Sequence, residues 1–337
     1  MVFIKERCNF CGECLVNCQY IDLNKDQAIE EMRNLVEKGD SFILLECVTC
    51  YACNEYCKAG ANPFDLIAKL QEINNSLGLS DGGKKMLEKQ FEPYEFTLDV
   101  KNEGPLMSQC AFLFDHKEFF EGKLFENLTL IGGRSVFCNL IYLHTEQYSL
   151  IKTRAPMIVS NVEKALENFE KKELICFHDE CYAFFNKYAP EFGVEVNFKV
   201  YHLFEYLFNF LKEHEDQISP LNMKIAYQRS CSMRLTPEKD HFLDKLLNLI
   251  GAERVDREYS GVNALCCQAP LMGLLNKRKL GRENQRKNIQ DALDAGAEAM
   301  IFICPTCYDT LKKRCEKNDL RAIFITNLCR MVLGEIE

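Results

Sequence analysis

The pattern of apolar and polar positions in the second half of the chain occurs twice. Residues 174–185, LICFHDECYAFF, and residues 300–311, MIFICPTCYDTL, each run from a short apolar segment through a polar loop into a helical pattern. An Ala- and Leu-containing helical pattern precedes each apolar segment, around Leu166 and Leu293. Because strand, loop and helix in this order form the unit of α/β domains, the pattern predicts two copies of one such unit.

Potential metal-binding residues fall at equivalent positions of the two copies. PLMSQCAF resembles KIAYQRSCSM, and RSVFCNL resembles NALCCQA. Four positions of the first copy thereby match four of the second: Cys110 to Cys231, Cys138 to Cys267, His178 to Cys304 and Cys181 to Cys307. The sequence therefore predicts an α/β domain with internal pseudo-twofold symmetry, whose chemistry lies in the loops that follow the strands.

The first part of the chain has a different pattern. Residues 28–40, AIEEMRNLVEKGD, show a helical period that ends at Gly39, so we expect this part to be helical. Residues 74–85, NNSLGLSDGGKK, are polar and turn-rich, which is typical of a connection. We predict a multidomain α and α/β protein, with a helical domain at 1–75, a linker at 76–104, a first repeat at 105–220 and a second repeat at 221–337.

Composition and charge narrow the functional classes. The chain has 337 residues, of which 47% are hydrophobic, and a formal net charge of −9. An acidic chain repels phosphate backbones, so nucleic acid is not an expected partner. No apolar run approaches the roughly 20 residues that a transmembrane helix needs, and the N-terminal residues lack a secretory signal. We therefore expect a cytoplasmic protein, or one associated with a membrane through a partner.

Nineteen cysteines dominate the chemistry of the chain. Eight of them form two identical C-x2-C-x2-C-x3-C runs: Cys8, Cys11, Cys14 and Cys18, then Cys47, Cys50, Cys53 and Cys57. In two-cluster ferredoxins, three cysteines of each run bind one cluster and the fourth reaches the other cluster. We therefore predict that two cubane [4Fe–4S] clusters bind in a helical ferredoxin domain. Structural zinc is the alternative.

Two sets of ligands follow from this crossed arrangement. The first cubane set is Cys8, Cys11, Cys14 and Cys57. The second cubane set is Cys47, Cys50, Cys53 and Cys18. Ferredoxins usually have proline after the fourth cysteine, whereas this chain has Gln19 and Lys58, so the loop geometry after each run is left open.

The second repeat carries five further cysteines in three loops. Cys231 is followed after 34 residues by the adjacent pair Cys266 and Cys267, and after 36 more residues by Cys304-x2-Cys307. This five-cysteine set resembles the CCG cysteine-rich domain of the B-type subunits of heterodisulfide reductase, with Gln268 where that family usually has glycine. The whole chain resembles a fusion of the ferredoxin domain of the C-type subunits with a B-type domain, as in the D-type subunits and related iron–sulfur proteins.

The resemblance implies a specific cofactor and activity. In that family, the five cysteines hold a noncubane [4Fe–4S] cluster, and the adjacent pair serves neighbouring irons. Carried over by motif, the catalytic ligands of this chain are Cys231, Cys266, Cys267, Cys304 and Cys307. Two buried inert thiols, or a redox-active disulfide, are the alternatives for the adjacent pair.

The first repeat is a degenerate copy of this arrangement. The equivalent positions hold Cys110, Phe137, Cys138, His178 and Cys181, so Phe137 replaces one of the paired cysteines. The remaining first-repeat set, Cys110, Cys138, His178 and Cys181, is of the Cys3His type that suits tetrahedral Zn²⁺. A zinc ion, a differently ligated iron–sulfur cluster and the absence of any metal all remain open.

These motifs predict a redox protein that depends on a partner. The chain has no G-x-G-x-x-G or P-loop motif, so we expect electrons to arrive from a flavoprotein or membrane cytochrome within a hetero-oligomeric complex. In one hypothesis, the two cubanes pass electrons to the noncubane site, which reduces a small disulfide or oxidises thiols. In the second, the chain is a relay between a glycerol-3-phosphate, glycolate or lactate dehydrogenase and a quinone or other carrier. A zinc-stabilised scaffold without redox activity is a third class. The histidines other than His178 are assigned no role.

Overall fold

A computed structural model describes residues 2–94, 104–109, 116–273 and 277–337 of the chain. Cys110, a member of the first-repeat set, lies outside these residues, as does part of the segment predicted as a linker.

The N-terminal part is built from short helices. They are α1 (Glu13–Val16), α2 (Lys25–Arg33), α3 (Ile43–Glu46), α4 (Ala52–Tyr56), α5 (Pro63–Asn74) and α6 (Asp81–Gln90). A capping box begins α2, in which the Asn24 side chain accepts a hydrogen bond from the Gln27 backbone N–H and the Gln27 side chain accepts one from the Asn24 N–H. A π-helical turn, Asn34–Lys38, continues α2 and ends at Gly39, whose φ of +69° suits glycine. The helix predicted over residues 28–40 is therefore confirmed.

One helix lies where the sequence predicted a linker. Residues 81–90 form α6, although Gly82 and Gly83 lower helix propensity in its first turn. The side chain of Ser80 accepts a hydrogen bond from the Gly83 N–H and caps the helix. The turn-forming residues of this segment therefore form a cap and a first turn.

Two parallel four-stranded sheets form the rest of the chain. The first contains β1 (Leu106–Ser108), β2 (Thr129–Ile131), β3 (Glu173–Cys176) and β4 (Lys199–His202), in the order β2-β1-β3-β4. The second contains β5 (Met223–Tyr227), β6 (Ala252–Arg254), β7 (Ala299–Phe302) and β8 (Arg321–Phe324), in the order β6-β5-β7-β8. All the pairings are parallel. The equal strand order confirms the internal repeat and the mixed helical and α/β fold.

Helices flank both sheets. They are α7 (Tyr148–Leu166), α8 (Asp179–Ala183), α9 (Ala189–Glu191), α10 (Leu203–Glu213), α11 (Asp240–Leu249), α12 (Ala269–Gly273), α13 (Arg278–Asp294), α14 (Pro305–Glu316) and α15 (Ile325–Val332). A π-helical turn, Phe184–Tyr188, connects α8 to α9. Short 3-10 turns occur at Lys5–Arg7, Lys117–Phe120, Arg134–Val136, Leu140–His144, Glu215–Gln217, Ser232–Leu235, Pro237–Lys239 and Gly261–Asn263.

The core explains why the cysteine loops lie together. Every residue of β7 is buried, as expected for a parallel strand covered on both faces. One continuous apolar core includes both sheets and the second cysteine run, while a smaller core around Met32 and Leu35 packs beneath the first run. Within the described ranges, none of the helices combines the length and apolar character that crossing a membrane requires.

Candidate metal centres

The two cysteine runs of the N-terminal part follow the same backbone path. In the first run, Phe10 and Gly12 have φ values of +57° and +73°, and in the second run Thr49 and Tyr51 have +56° and +65°. These residues flank the second cysteine of each run, Cys11 or Cys50. Left-handed residues on both sides turn the chain sharply around that cysteine.

Gly12 is needed for a second reason. A Cβ atom at this position would lie 3.0 Å from the backbone nitrogen of Ile29 in α2. Tyr51, at the equivalent position of the second run, is fully buried, so the two loops satisfy the same backbone geometry with different side chains.

The thiols of the first cubane set lie close enough together that the charge of one raises the pKa of another. Burial is the main cause that raises the pKa values of Cys8 and Cys14, with contributions from Cys57 and Cys11, and the pKa of Cys14 reaches about 12. The backbone N–H of Ala61 donates a hydrogen bond to Cys57 Sγ at 3.3 Å. Cys57, from the second run, therefore lies with three cysteines of the first.

The thiols of the second cubane set line one cavity, which Cys14 also borders. Burial raises the pKa of Cys50 to about 12 and also raises the pKa values of Cys47, Cys53 and Cys18. The Thr49 N–H donates a hydrogen bond to Cys47 Sγ at 3.4 Å. Cys18, from the first run, thus completes the group formed by the second run.

Both groups suit clusters better than single ions. Among the described residues, no three His, Cys, Asp or Glu side chains are arranged to hold one metal ion. In a cluster each thiolate binds a different iron, so its ligands surround a cavity instead of meeting at a point. Buried thiols with raised pKa values are costly to ionise, and a bound metal provides the positive charge that removes their protons.

The five-cysteine set converges in the second repeat. Cys231 precedes the 3-10 turn Ser232–Leu235, Cys304 is the N-cap of α14, and Cys307 lies in the first turn of α14. The thiols are neighbours in the order Cys231, Cys266, Cys267, Cys307 and Cys304. Contacts with Cys231 and Cys267 hold the pKa of Cys266 well below its ordinary value, and Cys307 lowers the pKa of Cys304 to about 5.

The turn after the adjacent pair is left-handed, as it would be with glycine. Gln268 has a φ of +70° and is fully buried. Its side chain donates hydrogen bonds to the Cys266 carbonyl at 2.8 Å and to the Tyr20 phenol at 3.2 Å. Its backbone N–H donates to Cys266 Sγ at 3.4 Å. These hydrogen bonds offset the strain that a non-glycine residue has in this conformation.

The first repeat preserves this turn in spite of the lost cysteine. Asn139 has a φ of +62° and donates a hydrogen bond from its side chain to the Phe137 carbonyl at 2.6 Å. This contact is equivalent to that between Gln268 and the Cys266 carbonyl. Phe137 is 1% exposed and fills the place of the missing thiol.

The described members of the first-repeat set lie near one another. Cys138 and Cys181 are in side-chain contact, and His178 is an electrostatic neighbour of Cys181. His178 is 3% exposed, and neither ring nitrogen has a hydrogen-bonded nitrogen or oxygen partner in the described part of the chain.

His178 also adjoins Cys304 of the five-cysteine set. Burial alone would lower the pKa of His178. The negative charge of Cys304, together with that of Glu180 and Asp179, outweighs burial and raises this pKa to about 10. The charge of Cys304 in the second repeat therefore acts on His178 in the first repeat.

Several residues that connect the N-terminal part to the five-cysteine set were not predicted from the sequence. The Cys266 N–H donates to the Tyr20 phenol at 2.8 Å, and the Tyr56 phenol donates to the Val262 carbonyl at 3.0 Å. Glu55 in α4 forms a bidentate ion pair with Arg229 at 2.6 and 2.8 Å. No motif marks these residues, because each acts only through a contact distant in sequence.

The three cysteines outside all of these sets are buried. Cys176, Cys315 and Cys329 are each 0% exposed, and burial raises the pKa of each thiol. Their environment is that of small apolar side chains in a core.

Comparisons with known proteins agree with this arrangement. Residues 225–312 match the CCG family, a cysteine-rich domain. The B subunit of fumarate reductase (CoM/CoB) from Methanothermobacter marburgensis is 24% identical over 91% of this chain, which spans 64% of that protein's length. A hypothetical protein from Helicobacter pylori has the same fold, with a TM-score of 0.56, 13% identity and coverage of 90% of this chain and 66% of that one. The expected resemblance is confirmed to this extent: residues 225–312 match the CCG cysteine-rich domain, and the chain as a whole is similar to a subunit of a fumarate reductase (CoM/CoB).

Proposed function

We propose that this chain is the electron-transfer and catalytic subunit of a heterodisulfide reductase-like complex. In this proposal, each cubane set holds a [4Fe–4S] cluster and the five-cysteine set holds a noncubane [4Fe–4S] cluster. When bound, the clusters carry single electrons and exchange them with a disulfide or a pair of thiols. The observation that carries the proposal is the continuous group of five thiols from three loops, placed directly beside the second cubane set.

The order of the three centres follows from their contacts. Cys50 and Cys266 are electrostatic neighbours, which brings the second cubane set next to the five-cysteine set. Three cysteines of each cubane set are only partly buried, so the two sets differ in their position relative to the five-cysteine set and not in their exposure. A partner, which we propose to be a flavoprotein or a membrane cytochrome, would therefore exchange electrons at the first cubane set.

The reaction must balance two electrons and two protons. Reduction of a disulfide consumes both electrons and both protons, breaks the S–S bond and releases two thiols. Oxidation of two thiols is the reverse and forms that bond. The related M. marburgensis protein is named as part of a fumarate reductase (CoM/CoB), which supports a redox complex but does not name the substrate of this chain.

One observation favours a relay function instead. Phe137 fills the place of a paired cysteine, so the first repeat lacks a complete set of five. A second noncubane cluster cannot then act on the opposite side of a disulfide. The alternative proposal is a relay between a flavoprotein dehydrogenase and a quinone or other carrier, without substrate sulfur at the five-cysteine set.

For the first repeat, we extend the proposal to a structural zinc ion bound by Cys110, Cys138, His178 and Cys181. The closeness of buried His178 to Cys181 supports this donor set, although the same ring also forms a hydrogen bond with Cys304 of the five-cysteine set. Three cysteines and one histidine provide the closed tetrahedral ligation of structural zinc sites. The described members Cys138, His178 and Cys181 are not arranged around a single ion in this structure, so the zinc content of the protein is the deciding measurement.

The test is anaerobic purification followed by metal analysis and electron paramagnetic resonance. Three clusters correspond to about 12 iron atoms per chain, and the zinc site to about one zinc. After oxidation, a signal that depends on added thiol would support thiol chemistry, and Cys267→Ser should abolish it while preserving the cubane signals. Cys329→Ser is the control, since Cys329 is buried outside every set. Rapid electron exchange with a flavoprotein and no thiol-dependent signal would favour the relay, and iron-free protein would refute both proposals.

A further inference from the structure

His144 lies between the second cysteine run and the five-cysteine set. It ends the 3-10 turn Leu140–His144 of the first repeat and is 4% exposed. Its Nδ1 is 2.6 Å from Thr49 Oγ1, and its Nε2 is 2.6 Å from the Tyr51 phenol oxygen. Its ring also stacks on Tyr51, with centroids 5.1 Å apart and an angle of 19° between the planes. His144, in the first repeat, therefore contacts the residues on both sides of Cys50, which are Thr49 and Tyr51.

Either neutral tautomer of His144 satisfies both contacts. The Thr49 hydroxyl lies 2.6 Å from His144 Nδ1 and 2.7 Å from the Val48 carbonyl, and its single proton is donated to one of them. The Tyr51 hydroxyl correspondingly accepts from His144 Nε2 or donates to it. Burial lowers the pKa of His144 to about 4, which favours the neutral ring.

The two residues that His144 holds have an unfavourable backbone conformation. Thr49 and Tyr51 have φ values of +56° and +65°. Left-handed geometry is unfavourable for a β-branched or bulky residue unless its surroundings hold it there. Both side chains are fully buried, so their hydroxyl groups have no access to water as a substitute partner.

The same contact borders the five-cysteine set. Cys266 is an electrostatic neighbour of His144, and Cys231 and Cys266 are neighbours of the Tyr51 phenol. The segment Thr49–Cys50–Tyr51 is therefore packed between His144 and the five-cysteine set. A displacement of this segment would alter the separation of Cys50 from Cys266.

We infer that His144 is a positioning residue, which locks Thr49, Cys50 and Tyr51 in place and thereby sets the electronic coupling between the second cubane set and the five-cysteine set. The inference deepens the proposed function, because it relies on both sets holding clusters. It does not depend on the substrate. The first repeat therefore positions the second cysteine run through His144, whether or not the first repeat itself binds a metal.

The test uses the anaerobically purified, iron-loaded chain. His144→Phe keeps an aromatic ring for stacking but removes both hydrogen bonds. The double variant Thr49→Val and Tyr51→Phe removes the same hydrogen bonds and leaves His144 in place. Tyr188→Phe is the matched control, because it removes another buried phenol contact to the N-terminal part, the 3.0 Å hydrogen bond to Asp65. The measurements are iron content, the paramagnetic resonance spectrum of the reduced cubanes, and the rate of internal electron transfer after flash reduction.

We expect both variants to retain iron, to change the spectrum of one cubane and to slow internal electron transfer roughly tenfold or more, as a small misplacement of reacting groups would. The control should match the wild-type protein. If His144→Phe does not fold, the double variant decides the outcome. Unchanged spectra and transfer rates in an iron-loaded variant would overturn the inference. Slower transfer without any thiol-dependent signal would uphold it while refuting the proposed thiol chemistry.

Discussion

The phenol oxygen of Tyr20 accepts a 2.8 Å hydrogen bond from the backbone N–H of Cys266. Tyr20 follows Cys18 of the second cubane set by two residues, and Cys266 belongs to the five-cysteine set. A short stretch of chain and a single hydrogen bond thus connect ligands proposed for two different centres. The hydrogen bond of Tyr20 and those of His144 both lie where the second cubane set meets the five-cysteine set.

Tyr20→Phe tests this connection. The substitution removes one oxygen, which leaves the Cys266 N–H without its acceptor and the Gln268 amide with the Cys266 carbonyl only, so we expect a loss of about 1–3 kcal/mol in stability. Thermal unfolding of the iron-loaded protein under anaerobic conditions measures the loss. Tyr56→Phe is the control, because its half-buried phenol donates to a loop carbonyl and should matter less. Equal unfolding temperatures for both variants would contradict the prediction.

The crossed ligand arrangement predicts different effects for two similar cysteines. Cys18→Ser should weaken or abolish the cluster of the second cubane set, whereas Cys57→Ser should affect that of the first. The reason is that Cys18 borders the cavity of Cys47, Cys50 and Cys53. Iron content and paramagnetic resonance of the reduced variants distinguish the two clusters. Loss of the cluster nearest in sequence, in each variant, would show instead that each run binds its own cluster.

Glu55 stabilises the contact between the N-terminal part and the second repeat. Its side chain is 7% exposed and pairs with Arg229, which is 4% exposed, and with Arg234 at 3.4 Å. Glu55→Gln removes the carboxylate charge between the two guanidinium groups, although Arg229 keeps Asp240 at 2.7 Å, so we expect a loss of about 2 kcal/mol. Glu215→Gln, in the exposed pair with Lys212, should cost less than about 1 kcal/mol. Denaturant unfolding compares the two variants, and equal costs would refute the prediction.

Asp65 should make stability depend on pH. Burial raises its pKa to about 6 from 3.8, although hydrogen bonds from Asn54 and Tyr188 act in the opposite direction. The folded protein therefore holds an extra proton between these pH values, and the stability from this group is lost as the pH rises through 6. We expect the folded state to be about 1 kcal/mol less stable at pH 7 than at pH 5 through this group.

The check for Asp65 is the difference between variants. Asp65→Asn should remove this part of the pH dependence, measured as unfolding midpoints across the range in which Asp65 titrates. Asp244→Asn, in an exposed pair with Arg254, should leave it unchanged. If wild-type and Asp65→Asn midpoints follow the same course with pH, the buried carboxyl has no such role.

Much of the fold could be predicted because its signals are local. The apolar segments at 174–177 and 300–303 lie in or next to β3 and β7, and the helical period at 28–40 corresponds to α2 and its π-helical turn. The segment at 81–90 has the composition of a linker, because its glycines and polar residues also suit a connection. Only the capping hydrogen bond to Ser80 and the packing of Leu87 against the core distinguish the two cases.

The candidate site, like the fold, could be predicted only where its signals are local in the sequence. From the sequence, Gln268 leaves the geometry of the turn open, yet its buried side chain provides the hydrogen bonds that stabilise a left-handed backbone. His144 carries no local signal at all. Its two partners, Thr49 and Tyr51, are 95 and 93 residues away in the chain.

The sequence by itself determined the cysteine spacing, the internal repeat and the likeness to CCG proteins, because these depend on residue identity and short-range order. Only the tertiary structure decided that His178 adjoins Cys304, and that Tyr20, His144 and Glu55 connect segments far apart in the chain. Such contacts arise when distant segments are buried against each other and must satisfy their polar groups there, and no pattern along the chain records them.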